Sequence, residues 1–294
     1  MRTYSLDDVY ETRKRRDSWW TVYFVDPVAC RVALPVANRT RMTPNGLTVF
    51  SLVLGTVSAA CFAMNQLMAG AGFFYLSFMI DCVDGKIARL KGTGTPFGLW
   101  LDYVGDRIRV VLCAGGLAYG QYALTGDVSY VVLGAAVAVL DLFRYVNAPQ
   151  MKRVREAVRE ERQGPDTLTE PDALTEPDAL TEPDTFMGAD PLPAQESERV
   201  GRSPRARGFF RFFRRLNRYL ARHRVRSHLV SGIEFHAAVF VIAPLAGAWA
   251  LIPLAVLSGL LLLANEVFLV YRMWLFTRRH GAGSPQESRE HVLV

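Results

Sequence analysis

A chain of 294 residues, half of them hydrophobic, carries 34 Lys and Arg against 28 Asp and Glu, a formal net charge of +6. That combination argues against a soluble domain and fits a polytopic membrane protein with basic cytoplasmic segments. Cys30, Cys61, Cys82 and Cys113 lie in apolar surroundings without a CxxC pair, so they read as small buried hydrophobes rather than a metal or disulfide site.

The N-terminal stretch MRTYSLDDVYETRKRRD is polar, and the first apolar stretch is broken by Asp26, Pro27 and Arg31, so no signal peptide is expected. Residues 1–40 read as a cytoplasmic N-terminus with an interfacial helix. Within them WWTVYFVDPVACRVALPVA, residues 19–37, has charges that interrupt a span and two tryptophans suited to the headgroup level. Crossing the hydrocarbon takes roughly 20 residues. On that basis spans are predicted at 47–64, 69–90, 97–120 and 131–146 within a catalytic unit of residues 41–150, and at 230–249 and 251–273 within residues 229–276. The expected fold is all-α: six transmembrane helices preceded by the interfacial helix.

Lysine and arginine set the orientation. NQLMAG, GQYALTGDVS and GAWAL contain neither, whereas RKRRD, RTR, KIARLK, the insertion after Gln150 and the pair at 278–279 carry many. The positive-inside rule then puts both termini on the cytoplasmic side of the plasma (inner) membrane, including the tail 277–294.

The insertion, residues 151–228, has two unlike parts. PDTLTE–PDALTE–PDALTE–PDTF is a six-residue repeat without large apolar residues for a core, and disorder is expected. RSPRARGFFRFFRRLNRYLARHRVRS follows, with arginines interleaved with Phe, Leu and Tyr. A basic, aromatic stretch abutting a span is expected to lie on anionic lipid headgroups rather than on nucleic acid.

The stretch DCVDGKIARLKGTGTPFGLWLDYVGD, residues 81–106, sets four aspartates among apolar flanks. Asp81 and Asp84 share one helix face at i, i+3, and Asp102 and Asp106 share another at i, i+4. KGTGTP between them breaks the helix and lets the chain reverse, so the two faces can meet at the cytoplasmic membrane boundary. Lipid-facing carboxylates are costly and crowded ones repel, so a partner is required. Oxygen-only, anionic donors suit a hard divalent cation, Mg²⁺ or Mn²⁺, and four carboxylates suit two ions. Paired metals are a recurring device for moving phosphoryl groups. Gly85 leaves backbone room for a bulky ligand, and Arg89 can grip a phosphate oxygen. A cation transporter is the alternative of another class, although its acids would be spread across depth rather than gathered at one end.

These residues resemble the CDP-alcohol phosphotransferase family, class I. Asp81-x2-Asp84-Gly85-x2-Ala88-Arg89-x8-Gly98-x3-Asp102-x3-Asp106 is similar to its signature at all eight fixed positions. The resemblance covers roughly residues 40–150. It implies a six-span fold, often a homodimer, in which an alcohol displaces CMP from a CDP-linked donor, CDP-diacylglycerol in the usual bacteria-like members. Carried over by position, it implies that Asp81, Asp84 and Asp102 bind metal. It further implies that Asp106 is the general base and touches the second ion, and that Gly85, Arg89, Thr95 and the Pro44–Asn45 pair bind the CDP portion. Thr95 also stands where a helix N-cap belongs, before Pro96, and Asn45 has a capping role open to it.

The acceptor is less marked. Members acting on phosphorylated inositol usually carry a basic pair after a tyrosine near the end of span four, whereas this chain reads LDLFRYVNAPQ. A small polar alcohol is therefore expected, with Arg144 its candidate ligand unless Arg144 pairs with Asp141 one turn earlier. Within the family the alternative is an amino-alcohol phosphotransferase using CDP-choline or CDP-ethanolamine and diacylglycerol. His236 and Glu234, two residues apart, fall on different helix faces and are not expected to share a metal.

Overall fold

In a computed structural model of the chain, the structure describes residues 3–163, Arg224 and residues 231–281. The hexapeptide repeat, the basic segment apart from Arg224, and residues 282–294 lie outside the described residues, as do the expectations made for them.

All regular elements among the described residues are helical. Helix α1, Leu6–Glu11, is closed by a capping box in which Ser5 accepts from the Asp8 amide and Asp8 accepts from the Ser5 amide. A π-helical turn, Thr21–Val25, leads into α2, Asp26–Arg39. A second π-helical turn, Ala238–Ile242, joins α7, Gly232–Ala237, to the short α8, Ala243–Ala246. Both turns stand just ahead of a proline, Pro27 and Pro244, whose missing N–H prevents a regular i→i−4 ladder there. Val25, Ala29, Ala33 and Ala37, spaced four apart, form the buried stripe of the α2 region, which packs on the helix Leu67–Lys91. The stretch expected to be interfacial is thus helical from residue 21 to residue 39.

The central bundle is α3, Pro44–Ala63, against α4, Leu67–Lys91, and α5, Pro96–Thr125. Thr43 caps α3 by accepting from the Gly46 amide at 3.2 Å, with Pro44 in the first turn. The predicted break at KGTGTP is where α4 ends. Gly92 takes the left-handed conformation, φ 63°, and Thr95 accepts from the Gly98 amide at 3.0 Å to start α5.

Helix α6, Ser129–Gln163, packs on α5 and runs through Pro149 well past the span foreseen for it. Proline at 149 cannot donate to the Tyr145 carbonyl, but the Tyr103 hydroxyl of α5 does so instead, at 3.1 Å. The last helix, α9, Ala248–Gly281, packs on α6.

Among the described residues, four helices are long and apolar enough to cross a membrane: α3, α4, the first 30 residues of α6, and α9 through Arg278. Their outer faces expose large apolar side chains, such as Val49, Phe50 and Val53 of α3 and Val256, Leu257 and Leu260 of α9. Such faces suit lipid, not water. Helix α5 has spanning length at 30 residues, yet Asp102, Asp106, Arg107 and Arg109 crowd its first half. The stretch 232–246 is apolar but short.

Candidate active site

The site begins with a polar stripe on α3. Thr48, Ser51, Gly55 and Ser58 recur at alternating three- and four-residue spacings, so they share one helix face, and all are buried against α4 and α5. The Thr48 hydroxyl donates to Asp84 at 2.6 Å, and Ser51 lies 3.3 Å from Asp81 as its donor. These hydroxyls of α3 fix two α4 carboxylates.

Asp81 and Asp84 of α4 and Asp102 of α5 then converge. One carboxylate oxygen from each lies within 4.8 Å of the other two, and Asp84 is almost wholly buried. Like charges about 4 Å apart repel by about 4 kcal/mol at an effective dielectric of about 20. An oxygen-only donor triangle of this size fits a hard divalent cation, which removes that repulsion.

Asp106 is not one of the three. Its carboxylate forms an ion pair with Arg109, and Arg107 Nη2 lies 3.7 Å from its other oxygen. Arg109 also approaches Asp81, Nη1 to Oδ1 3.5 Å, and donates to Ser77 at 3.2 Å. Neither arginine nor the α3 hydroxyls had been singled out from sequence. Two arginines beside an apolar run called for buried acids as partners, and the Thr48–Ser51–Gly55–Ser58 spacing was the available sign of a polar face.

The residues expected to bind CDP fall into two groups. Asn45, Thr95 and Gly98 come together where the N-termini of α3 and α5 meet: a Cβ on Gly98 would collide with Asn45 Oδ1 and lie 3.0 Å from Thr95 Oγ1. Pro44 occupies the first turn of α3 beside them. Thr95 does serve as an N-cap, while the cap of α3 is Thr43 rather than Asn45. Gly85 and Arg89 form the second group, on the last turns of α4. The Arg89 guanidinium stands 3.6 Å from the position of a Cβ on Gly85, and its Nε donates to the Thr12 carbonyl at 2.8 Å.

The expected pairing of Arg144 with Asp141 is corrected. Asp141, fully buried, is taken by Arg107 of α5 and by His236 of α7 at 2.7 Å. Arg144 lies against Glu266 of α9, Nε to Oε1 3.7 Å, and Asn147 donates to the same carboxylate at 3.1 Å. One turn of α6 separates Asp141 from Arg144, but the two side chains meet different neighbouring helices, and buried charges settle on those partners. Glu234 completes the capping box of α7 with Ser231, so Glu234 and His236 do occupy separate roles.

Comparison with known proteins matches residues 41–164 to the family model for CDP-alcohol phosphatidyltransferases. The archaetidylinositol phosphate synthase of Methanothermobacter thermautotrophicus is 31% identical over 105 residues, which cover 35% of this chain and 50% of that protein. The phosphatidylinositol phosphate synthase of Mycobacterium bovis is 35% identical over 82 residues, 26% of this chain and 38% of the relative. A bifunctional IPC transferase and DIPP synthase of Aquifex aeolicus is 39% identical over 67 residues, 23% of this chain and 15% of that protein. The chain thus spans half the length of the first of these curated relatives and less of the others. The matched region contains the carboxylate triangle, the α3 stripe and the α3–α5 junction, and it is residues 41–164 of this chain that are similar to the CDP-alcohol phosphatidyltransferase family.

Proposed function

We propose that this chain transfers a substituted phosphate group from a CDP-linked donor, CDP-diacylglycerol, to the hydroxyl of a small polar alcohol, releasing CMP, as a step in phospholipid synthesis. The observation that carries the reading is the oxygen-only triangle of half-buried Asp81, buried Asp84 and half-buried Asp102, inside the segment that matches the family. Mg²⁺ or Mn²⁺ is the cation its chemistry suits, and such an ion supplies charge neutralisation at a diphosphate. Asp81, Asp84 and Asp102 hold it in this reading.

The chain's own residues supply the rest. Asp106 accepts the proton of the attacking hydroxyl, with Arg109 and Arg107 fixing its carboxylate. The α3–α5 junction of Asn45, Thr95 and Gly98 and the pair Gly85–Arg89 bind the nucleotide end of the donor. Its acyl tails stay in lipid beside the exposed apolar faces. In this reading α5 and the stretch 232–246 complete six spans, both termini and the carboxylates face the cytoplasm, and the protein is a homodimer in the plasma (inner) membrane. The basic segment at 202–227 rests on anionic lipid.

For the acceptor, the first two relatives named above are inositol phosphate lipid synthases, which makes inositol phosphate the first alcohol to test. Against it stands the engagement of Arg144 with Glu266. The deciding experiment gives detergent-purified full chain radiolabelled CDP-diacylglycerol, Mg²⁺ and a panel of alcohols: inositol phosphate, glycerol 3-phosphate, inositol, glycerol and serine. CMP release with formation of one labelled lipid is expected. Product formed only from diacylglycerol with CDP-choline or CDP-ethanolamine would overturn the donor assignment.

A further inference from the structure

Arg109 has a place in this site that the four-aspartate pattern does not foresee. It stands on α5 one turn beyond Asp106, 3% exposed, among the most hidden charges among the described residues. Its Nη2 pairs with Asp106, and its Nη1 lies 3.5 Å from Asp81 and donates to Ser77. The side chain reaches this position only because residue 55 is glycine. A Cβ there would lie 2.7 Å and 2.9 Å from Arg109 Cγ and Cδ, closer than carbon atoms pack. The guanidinium therefore lies between the Asp106 carboxylate and the edge of the triangle at Asp81, where a second divalent ion would have to bridge them.

We propose that Arg109 is a resident cation that takes the place of a second metal ion. The site then holds one divalent ion on Asp81, Asp84 and Asp102, while Arg109 keeps Asp106 off the metal and positions it as a base. The inference rests on the metal-dependent reading above. Charge supports it. Four carboxylates with one divalent ion and one guanidinium leave a single negative charge, so the cluster, buried at Asp84 and half-buried at the other carboxylates, is nearly neutral before substrate enters. A guanidinium also donates along fixed directions, which a spherical ion does not, and so sets the orientation of the Asp106 carboxylate.

Counting bound Mn²⁺ by equilibrium dialysis of the detergent-purified full chain tests this without relying on turnover. One Mn²⁺ per wild-type chain is expected. Asp106→Asn should keep that one ion, and Asp102→Asn should lose it. Arg109→Lys, which retains a cation, should still bind one. Arg109→Met, which frees the Asp106 carboxylate, should bind a second. Two ions in the wild type, or loss of an ion in Asp106→Asn, overturns the proposal whether or not Arg109→Met folds. A folded Arg109→Met chain that still binds only one ion overturns it as well. Absence of any Mn²⁺ uptake sensitive to Asp102→Asn would instead sink the metal-dependent reading itself, a distinguishable result.

Discussion

Asp102 and Asp106 lie one turn apart on α5, yet their surroundings assign them different work. Asp102 joins two α4 carboxylates, whereas Asp106 faces two guanidiniums. Asp102→Asn is therefore expected to nearly abolish CMP release, and excess chelator should mimic it. Asp106→Asn should lower kcat by about 10²–10⁴-fold, the usual contribution of a general base, with donor affinity little changed. Wild-type kcat in Asp106→Asn would remove it from the reaction. The aspartates were legible in the sequence because four acids in apolar flanks demand an explanation. Arg109 and Arg107 were not, since the segment RIR also reads as basic residues at a membrane edge, and their partners become neighbours only when α4, α5 and α6 pack. Arg144 shows the same limit from the other side: proximity on one helix suggested Asp141, and tertiary packing supplied Glu266.

At the scale of elements, turn chemistry was the readable part. MTPN and KGTGTP carry a capping threonine before a proline, and each starts a helix where expected. The passage of α6 through Pro149 was unreadable, because it depends on a tyrosine of another helix satisfying a carbonyl. The α3–α5 junction offers a test of how elements position ligand-binding groups. Alanine at Gly98 would put a methyl group onto Asn45 Oδ1 and against Thr95 Oγ1. Gly98→Ala should therefore raise the donor KM by about tenfold, roughly 1.4 kcal/mol of lost binding, without a matching fall in kcat. If displacement of Asn45 is the cause, Asn45→Ala should raise KM similarly, and the double variant should be no worse than either single one. Additive losses would show that Gly98 and Asn45 act separately.

At the scale of the whole molecule, six spans were expected from the sequence; among the described residues four helices have the length and apolarity to cross a membrane, whereas α5 carries charges in its first half and the 232–246 stretch runs short. Regions outside the membrane-length helices divide into those tied to the bundle and those with no apolar face to tie. The repeat at residues 165–186 is of the second kind by composition. Deleting it should leave turnover in detergent within about twofold, since its composition supplies no apolar face for the catalytic unit to depend on. Loss of activity in a correctly inserted deletion would show that the repeat does more than connect.

The N-terminal segment is of the first kind, and its fastening runs through the same stretch of α4 that carries the site. Lys86, two residues past Asp84, forms a 2.7 Å ion pair with Asp26 at the start of α2, and both side chains are buried. Arg224 adds a second contact to Asp26 at 3.4 Å and donates to the Lys14 carbonyl. One face of the α4 turn thus presents Asp84 to Thr48 and Asp102, while another holds the N-terminal segment in place. Lys86→Met would leave Asp26 buried with only the longer Arg224 contact, and breaking a buried pair from one side costs about 3–5 kcal/mol. A clear fall in the thermal midpoint of the detergent-solubilised protein is expected. Replacing both partners, Asp26→Asn with Lys86→Met, removes the uncompensated charge and should recover most of that loss. Because the pair lies off the carboxylate triangle, the double variant should also keep Mn²⁺ binding. A single variant as stable as wild type would show that apolar packing of α2 on α4, not the ion pair, holds the segment.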